Sequence, residues 1–321
     1  MRGKLFNVYF DDALEPVREL LEEIVEISPL LPPEAIYADD ADFITMILEK
    51  KELLKTNVRE ILLQADLKVN ETKTEETILE RKSKNAYSCT KTGKMKLKLK
   101  KEIEEWRNTK KLGSLIGVTE DIKRRKHLAA AALNKVNHVW IRKDRIKLKL
   151  RLKLYKSLIK SILTYNSGTW GLTKKEEEDL DAFHRQQLRK VMNVKYPVKM
   201  RNSVVYRESG EEVSSVEVLK SRWKLFGHVL RLQREAPAQM SMDFYFEESG
   251  ASKFRGRPRV NLPWKLNEDL VRYSGTELRL KTAEDLEVLR EFAQDRKRWA
   301  ELVKKIHVAA KAEKNMVVAN D

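Results

Sequence analysis

The chain has 321 residues, with 65 Lys plus Arg against 49 Asp plus Glu and a net charge of +16, a length that suggests two or three domains. Its single cysteine excludes a disulfide framework and a Cys-rich zinc site. No apolar run approaches the ~20 residues of a membrane span or forms a signal core at the N-terminus, so the expectation is an intracellular protein, nuclear or cytoplasmic, with no membrane partner.

The charge is divided by sign. Residues 1–80 carry 9 basic and 19 acidic side chains, a net of −10, which leaves +26 for the remainder. Thr90–Lys111 holds nine basic and three acidic residues, and Ile141–Lys160 holds nine and one. A carboxylate-rich segment beside cationic ones is the pattern of a polyanion-binding surface, although Lys-rich helices also occur simply as solvated faces.

In chain order, Leu5 to Phe10 is apolar and aromatic, and Ala13, Leu14, Val17, Leu20, Leu21, Ile24 and Val25 recur at helical spacing. This predicts an amphipathic helix to about Ile27, closed by Ser28-Pro29 and Pro32-Pro33. Ala35-Ile36-Tyr37 and Ala41 to Leu48 predict two short strands around an acidic tip, and Lys51 to Leu67 a second helix. Met95, Leu97 and Leu99 alternate with lysines, as in a strand with one cationic face. Beyond Gly117, the stretches His127 to Trp140 and Asp144 to Tyr165 contain neither Gly nor Pro. In the second, Ile146, Leu150, Leu154, Leu158 and Ile162 step by four; period two fits part of it as well, and its length favours a helix. Further helices are expected over Lys174–Met192, Val216–Leu232 and Thr282 to about Ala310, with a basic loop at Lys253–Arg259 and frayed residues from 311 onward. The six tryptophans, spread one per segment, read as core anchors, and the five histidines show no ligand spacing. The fold class expected is α+β: a mixed region over 1–120, a helical one over 121–200, and a helical C-terminal region over 201–321.

Adjacent aspartates at a hairpin tip, Asp39 and Asp40, suit a divalent cation, because Mg²⁺ takes one or two carboxylates together with phosphate oxygens. An ordinary solvated turn uses the same residues. The wider context separates these alternatives. Tyr37-Ala38-Asp39-Asp40 resembles the C motif of reverse transcriptases, and the stretch from Leu67 to Glu75, with Lys73, resembles the D motif. Lys111-Leu112-Gly113-Ser114-Leu115-Ile116 resembles the E motif, or primer grip. Ser161 to Trp170 and Arg222 to Arg231 are similar to two stretches of non-LTR (LINE-type) retrotransposon polymerases, and Arg255 to Arg259 and Ala293 to Trp299 to two more. These stretches follow the family's order along nearly the whole chain.

The resemblance implies a partial reverse-transcriptase palm, a helical thumb and a helical tail, with RNA-directed DNA polymerase activity by two-metal nucleotidyl transfer. It implies catalytic roles for Asp39, Asp40 and Lys73, with Mg²⁺ or Mn²⁺ on the two aspartates and Lys73 acting on the leaving phosphate. Leu112, Gly113 and Ser114 would form the primer grip. Lys147, Lys149, Arg151, Lys153, Lys156 and Lys160 would grip the duplex of RNA template and DNA primer, with Arg255, Arg257 and Arg259 as further nucleic-acid contacts. Leu5 to Phe10 resembles the end of the B motif, so fingers and A motif are expected on a missing N-terminal polymerase portion that acts as a partner. The chain alone is therefore expected to be truncated and inactive. A non-catalytic nucleic-acid-binding remnant and a helical protein-interaction module are the alternatives.

Overall fold

Phe10, Ala13, Leu14, Val17 and Leu21 recur every three or four residues, and this stripe forms the buried side of helix α1 (Arg2–Ile24). The computed structural model describes residues 2–24, 34–38, 40–44, 51–78, 83–89, 95–101, 105–137, 146–249 and 260–320. Because α1 begins at Arg2, Asp11 and Asp12 sit inside the helix. Asp11 there accepts a hydrogen bond from Arg18 at 2.6 Å. A hairpin follows, β1 (Glu34–Tyr37) antiparallel to β2 (Asp40–Phe43), with Tyr37 opposite Asp40. Helix α2 (Lys51–Gln64) packs Leu54, Val58 and Leu62 against α1, and Ala41 and Phe43 of β2 join the same cluster. This is the core of the first compact unit, residues 1–76 with 229–255 and 282–287.

The second unit comprises residues 77–228, 256–281 and 288–321. It contains the hairpin β3 (Ser83–Cys89) and β4 (Met95–Lys101), which places the alternating Met95–Leu99 segment in a strand as expected, and a short ribbon β5 (Lys110–Lys111) and β6 (Ser114–Leu115). Helices α3 (Val118–Val136) and α4 (Leu148–Leu154) follow, and α4 runs on through a π-helical turn (Tyr155–Lys160) into α5 (Ser161–Leu163). Then come α6 (Lys174–Val191), opened by a Thr173/Glu176 capping box, α7 (Asn202–Ser209) and α8 (Ser214–Val229). Next are α9 (Pro237–Ser249), which belongs to the first unit, and α10 (Leu262–Tyr273), α11 (Ala283–Gln294) and α12 (Arg296–Asn320). The molecule is thus mainly helical with two-stranded antiparallel ribbons, α+β at the coarse level. No helix of the described residues is long and apolar enough to cross a membrane.

Leu133, Tyr155, Leu163, Leu188, Val205, Val216 and Val318 belong to one buried cluster. The segments 121–200 and 201–321, expected as separate parts, therefore share a core. Val318 lies in that core and α12 continues to Asn320, so the end expected to fray is ordered by apolar burial. The long terminal helix expected from Thr282 is broken at Asp295, whose carboxylate accepts from the backbone N–H groups of Lys297 and Arg298 and so caps α12. The wide π turn changes the buried face of its helix. Tyr155, Ile159 and Leu163 point inward, whereas Leu150 and Leu158, expected on the core stripe, are exposed. Three tryptophans anchor cores as expected, Trp170, Trp223 and Trp299, but Trp264 is 40% exposed.

Trp223, Phe226 and Trp299 pack with ring centroids 5.7 to 5.9 Å apart. Gly227 lies directly under the Trp299 indole, where a Cβ would overlap the ring. Replacing Gly227 with alanine should lower stability by about 3 kcal/mol, because neither the helix nor the buried indole can yield without opening the core. The urea midpoint of the variant checks this.

Asp181 is buried on α6 and accepts two hydrogen bonds from Ser215, from the backbone N–H at 2.8 Å and from Oγ at 2.8 Å. Burial outweighs these bonds and the Lys314 ammonium 3.9 Å away, and pushes the carboxyl up to about 6. In the unfolded chain the same group titrates near its ordinary value of about 4. Between those two values the folded protein holds the proton more tightly, so this residue makes stability fall as pH rises from about 4 to about 6. Asp181→Asn should remove that slope, so the stability difference between parent and variant should change by roughly 3 kcal/mol across the window. A pH series of urea titrations measures it.

Candidate nucleic-acid interface

The primer-grip-like residues form a tight turn for a local reason. Lys111 pairs with Ser114, which leaves Leu112 and Gly113 as the two central residues with φ of 45° and 82°. Two positive φ values are the signature of the hairpin turn whose twist matches its strands, and glycine takes the second at no steric cost. The turn is then clamped from three sides. Arg124 and Arg125 of α3 both donate to the Gly113 carbonyl, at 2.8 and 2.5 Å. The Tyr165 hydroxyl donates to the Leu112 carbonyl at 3.0 Å, and the Arg125 guanidinium stacks 4.3 Å above the Tyr165 ring. Ser114 Oγ accepts from Arg125 at 3.0 Å and from Asn166 at 3.2 Å. Behind them Asp121 accepts from the Leu115 backbone N–H at 3.0 Å and from Trp170 Nε1 at 3.2 Å.

Two stretches that the sequence presents fifty residues apart are thus one constellation. Ser114, expected as part of the primer grip, has its side chain buried and engaged on both sides, so the residue of that trio most exposed at the surface is Leu112. Asp121, Arg124 and Arg125 lie outside every stretch that carries the resemblance, and Tyr165 and Asn166 lie within one of them. The Asp121–Arg125 spacing of four on one helix face was the available signal, and the structure shows the pair at 3.5 Å.

The cationic set divides. Lys147, Lys149, Lys153 and Lys156 are exposed, and Lys149, Lys153 and Lys156 follow one another at helical spacing. Lys160 is 4% exposed, and its ammonium is held by the carboxylates of Glu211 and Glu217, so it is a buried counter-ion rather than a phosphate contact. Arg151 is half-buried and donates to the Val191 carbonyl at 3.0 Å, which ties α4 to the end of α6. Arg255, Arg257 and Arg259 lie outside the described residues.

In the first unit, Ala38 follows β1 with a φ of 57°, as the first position of a two-residue turn does. Asp40 is exposed at the start of β2, and Asp39 lies outside the described residues. Lys73 is exposed in a turn closed by its own N–H to the Asn70 carbonyl at 3.1 Å, and no hydrogen bond or ion pair joins it to Asp40. Among the described residues, no group of three or more His, Cys, Asp or Glu side chains is placed to hold a metal ion.

The clamp predicts an order of costs. Arg125→Ala strips the buried turn of its main donor and leaves Asp121 without its nearest charge, which should cost about 3 kcal/mol. Tyr165→Phe removes one bond to an exposed carbonyl and should cost about 1 kcal/mol. Thermal unfolding of both variants, with the urea midpoint as a second probe, checks the ranking.

Comparison of the chain with protein-family models, with curated proteins and with solved structures gives no match.

Proposed function

We propose that this chain is a C-terminal part of a LINE-type reverse transcriptase and that its helical unit holds an RNA–DNA template–primer duplex. The observation that carries the reading is the exposed face of α4 and its continuation, where Lys149, Lys153 and Lys156 project at helical spacing with Lys147 at the helix start. Such a row meets successive phosphates and holds them by charge, with no reading of base sequence. The clamped turn at Leu112 and Gly113 and the hairpin whose second strand begins at Asp40 lend support, because the resemblance expects a grip and an acidic hairpin in these two stretches.

Nucleotidyl transfer in such enzymes uses two metal ions, Mg²⁺ or Mn²⁺, that activate the primer hydroxyl and stabilise the leaving group. The second reading is that the chain binds nucleic acid without catalysis. Primer extension in Mg²⁺ or Mn²⁺ separates them. Extension that is lost in Asp40→Ala supports the polymerase, and tight binding without extension supports the second reading.

Four exposed lysines on phosphates give an expected slope of about −4 for log affinity against log salt. Changing Lys149, Lys153 and Lys156 together to glutamine should flatten it to about −1, by close to one unit for each lysine. Fluorescence anisotropy with a blunt RNA–DNA duplex at several salt concentrations measures both slopes. An unchanged slope would place the binding surface elsewhere.

A further inference from the structure

The connection from α6 to α7 continues a basic stretch that begins within α6. From Arg185 to Asn202 there are six basic residues and no acidic one. At its apex Tyr196 is 93% exposed, with exposed lysines at 195 and 199 on either side. An apolar ring so placed forgoes the burial that drives folding, which in a frayed segment would need no account.

This segment is not frayed. Asn193 turns the chain out of α6 with a φ of 61°, and the Val194 N–H returns to the Arg189 carbonyl at 2.9 Å. The Val198 N–H donates to the Lys195 carbonyl at 2.9 Å and closes a turn around Tyr196 and Pro197. On the far side, Arg189 donates to the Met200 carbonyl at 2.9 Å and to Asn202 Oδ1 at 2.8 Å. One residue, Arg189, therefore braces both arms of the loop, the near one through its carbonyl and the far one through its guanidinium. The Arg151 bond to the Val191 carbonyl then joins the base of the loop to α4, the helix that carries the exposed lysine row.

We infer that Tyr196 is a stacking post for an unpaired base of a nucleic-acid strand, with Lys195 and Lys199 holding the phosphates on either side. The inference rests on the nucleic-acid reading above and adds to it a preference for a single-stranded segment next to duplex. An exposed aromatic ring between cations offers a π-face to any base and charge to the backbone, and it needs no sequence match. A base within a duplex already stacks on its neighbours, so the ring has value only where pairing ends. A lipid surface would also attract lysines and a tyrosine, but the loop is anchored to the helix whose lysines are spaced along one line, which suits a strand.

The experiment uses the full chain and two fluorescent probes, a blunt RNA–DNA duplex and the same duplex with an overhang of about six nucleotides that carries 2-aminopurine. The parent protein should bind the overhang probe about tenfold more tightly than the blunt one and quench the 2-aminopurine. Tyr196→Ala should remove that tenfold and the quenching while leaving blunt-duplex affinity within about twofold, and Tyr196→Phe should keep both. Loss of blunt and overhang binding to the same extent in Tyr196→Ala, or no loss in either, overturns the stacking role. Tyr196-dependent binding to anionic phosphatidylserine vesicles with no overhang effect also overturns it, in favour of a lipid surface. If the parent binds neither nucleic-acid probe, the template–primer reading fails and the inference with it; if it binds both equally and loses nothing in Tyr196→Ala, only the inference fails.

Discussion

A guanidinium with 1% of its surface exposed, that of Arg222, holds together three chain segments of the larger unit. It donates to Asp269 of α10 at 2.6 Å and to the Trp170 carbonyl at 3.2 Å, and the same Asp269 oxygen accepts from Trp223 Nε1 at 3.3 Å. A buried ion is costly unless every donor and acceptor around it is engaged, and removing one partner leaves a charge that the interior cannot solvate. Burial alone would push Asp269 toward its neutral form, which the guanidinium opposes. The positions of α8, α10 and the loop before α6 are therefore mutually conditional.

The same logic runs through the stretches that carry the family resemblance. Trp170 reaches from one of them to Asp121, which in turn fixes the ribbon after Lys111. Gly227 of another lies under Trp299 of a third, whose indole N–H donates to the Trp223 carbonyl at 3.3 Å. These residues are packing devices: a glycine where two elements touch, tryptophans with a satisfied N–H, an arginine with its acid. What such residues specify is the scaffold that presents α4 and the α6–α7 connection to solvent. The surface lysines that would meet a ligand lie between those stretches.

Local chemistry was legible and long-range pairing was not. The hairpin around Tyr37, the strand of Met95–Leu99 and the bodies of α2, α6 and α8 follow from period and turn residues that act within a few positions. Asn261 caps α10 through its bond to the Trp264 N–H at 2.9 Å with a proline in the first turn, a helix-start signal that lies in the sequence itself. Lys160 shows the limit. In a regular α-helix it would fall on the same face as Lys149, Lys153 and Lys156, but the π turn between Tyr155 and Lys160 inserts in effect one residue, a rotation of about 100° that brings it inward. Its acids, Glu211 and Glu217, stand more than fifty positions further on, and no local pattern announces them. The engagement of Ser114 is hidden for the same reason, since its partners Arg125 and Asn166 come from two later segments.

The larger unit is assembled from three separate stretches of chain, and its core includes Val318, close to the end of α12. On a ribosome, the helices up to Val229 emerge well before α12 does, and translation at roughly 5–20 residues per second makes that interval several seconds or more. Throughout it Leu133, Leu188 and Val205 belong to a core that lacks its last wall. The unit therefore cannot close as its helices appear in order, and the nascent chain must keep an apolar surface covered until α12 arrives. Closure of this core is in that sense timed by synthesis.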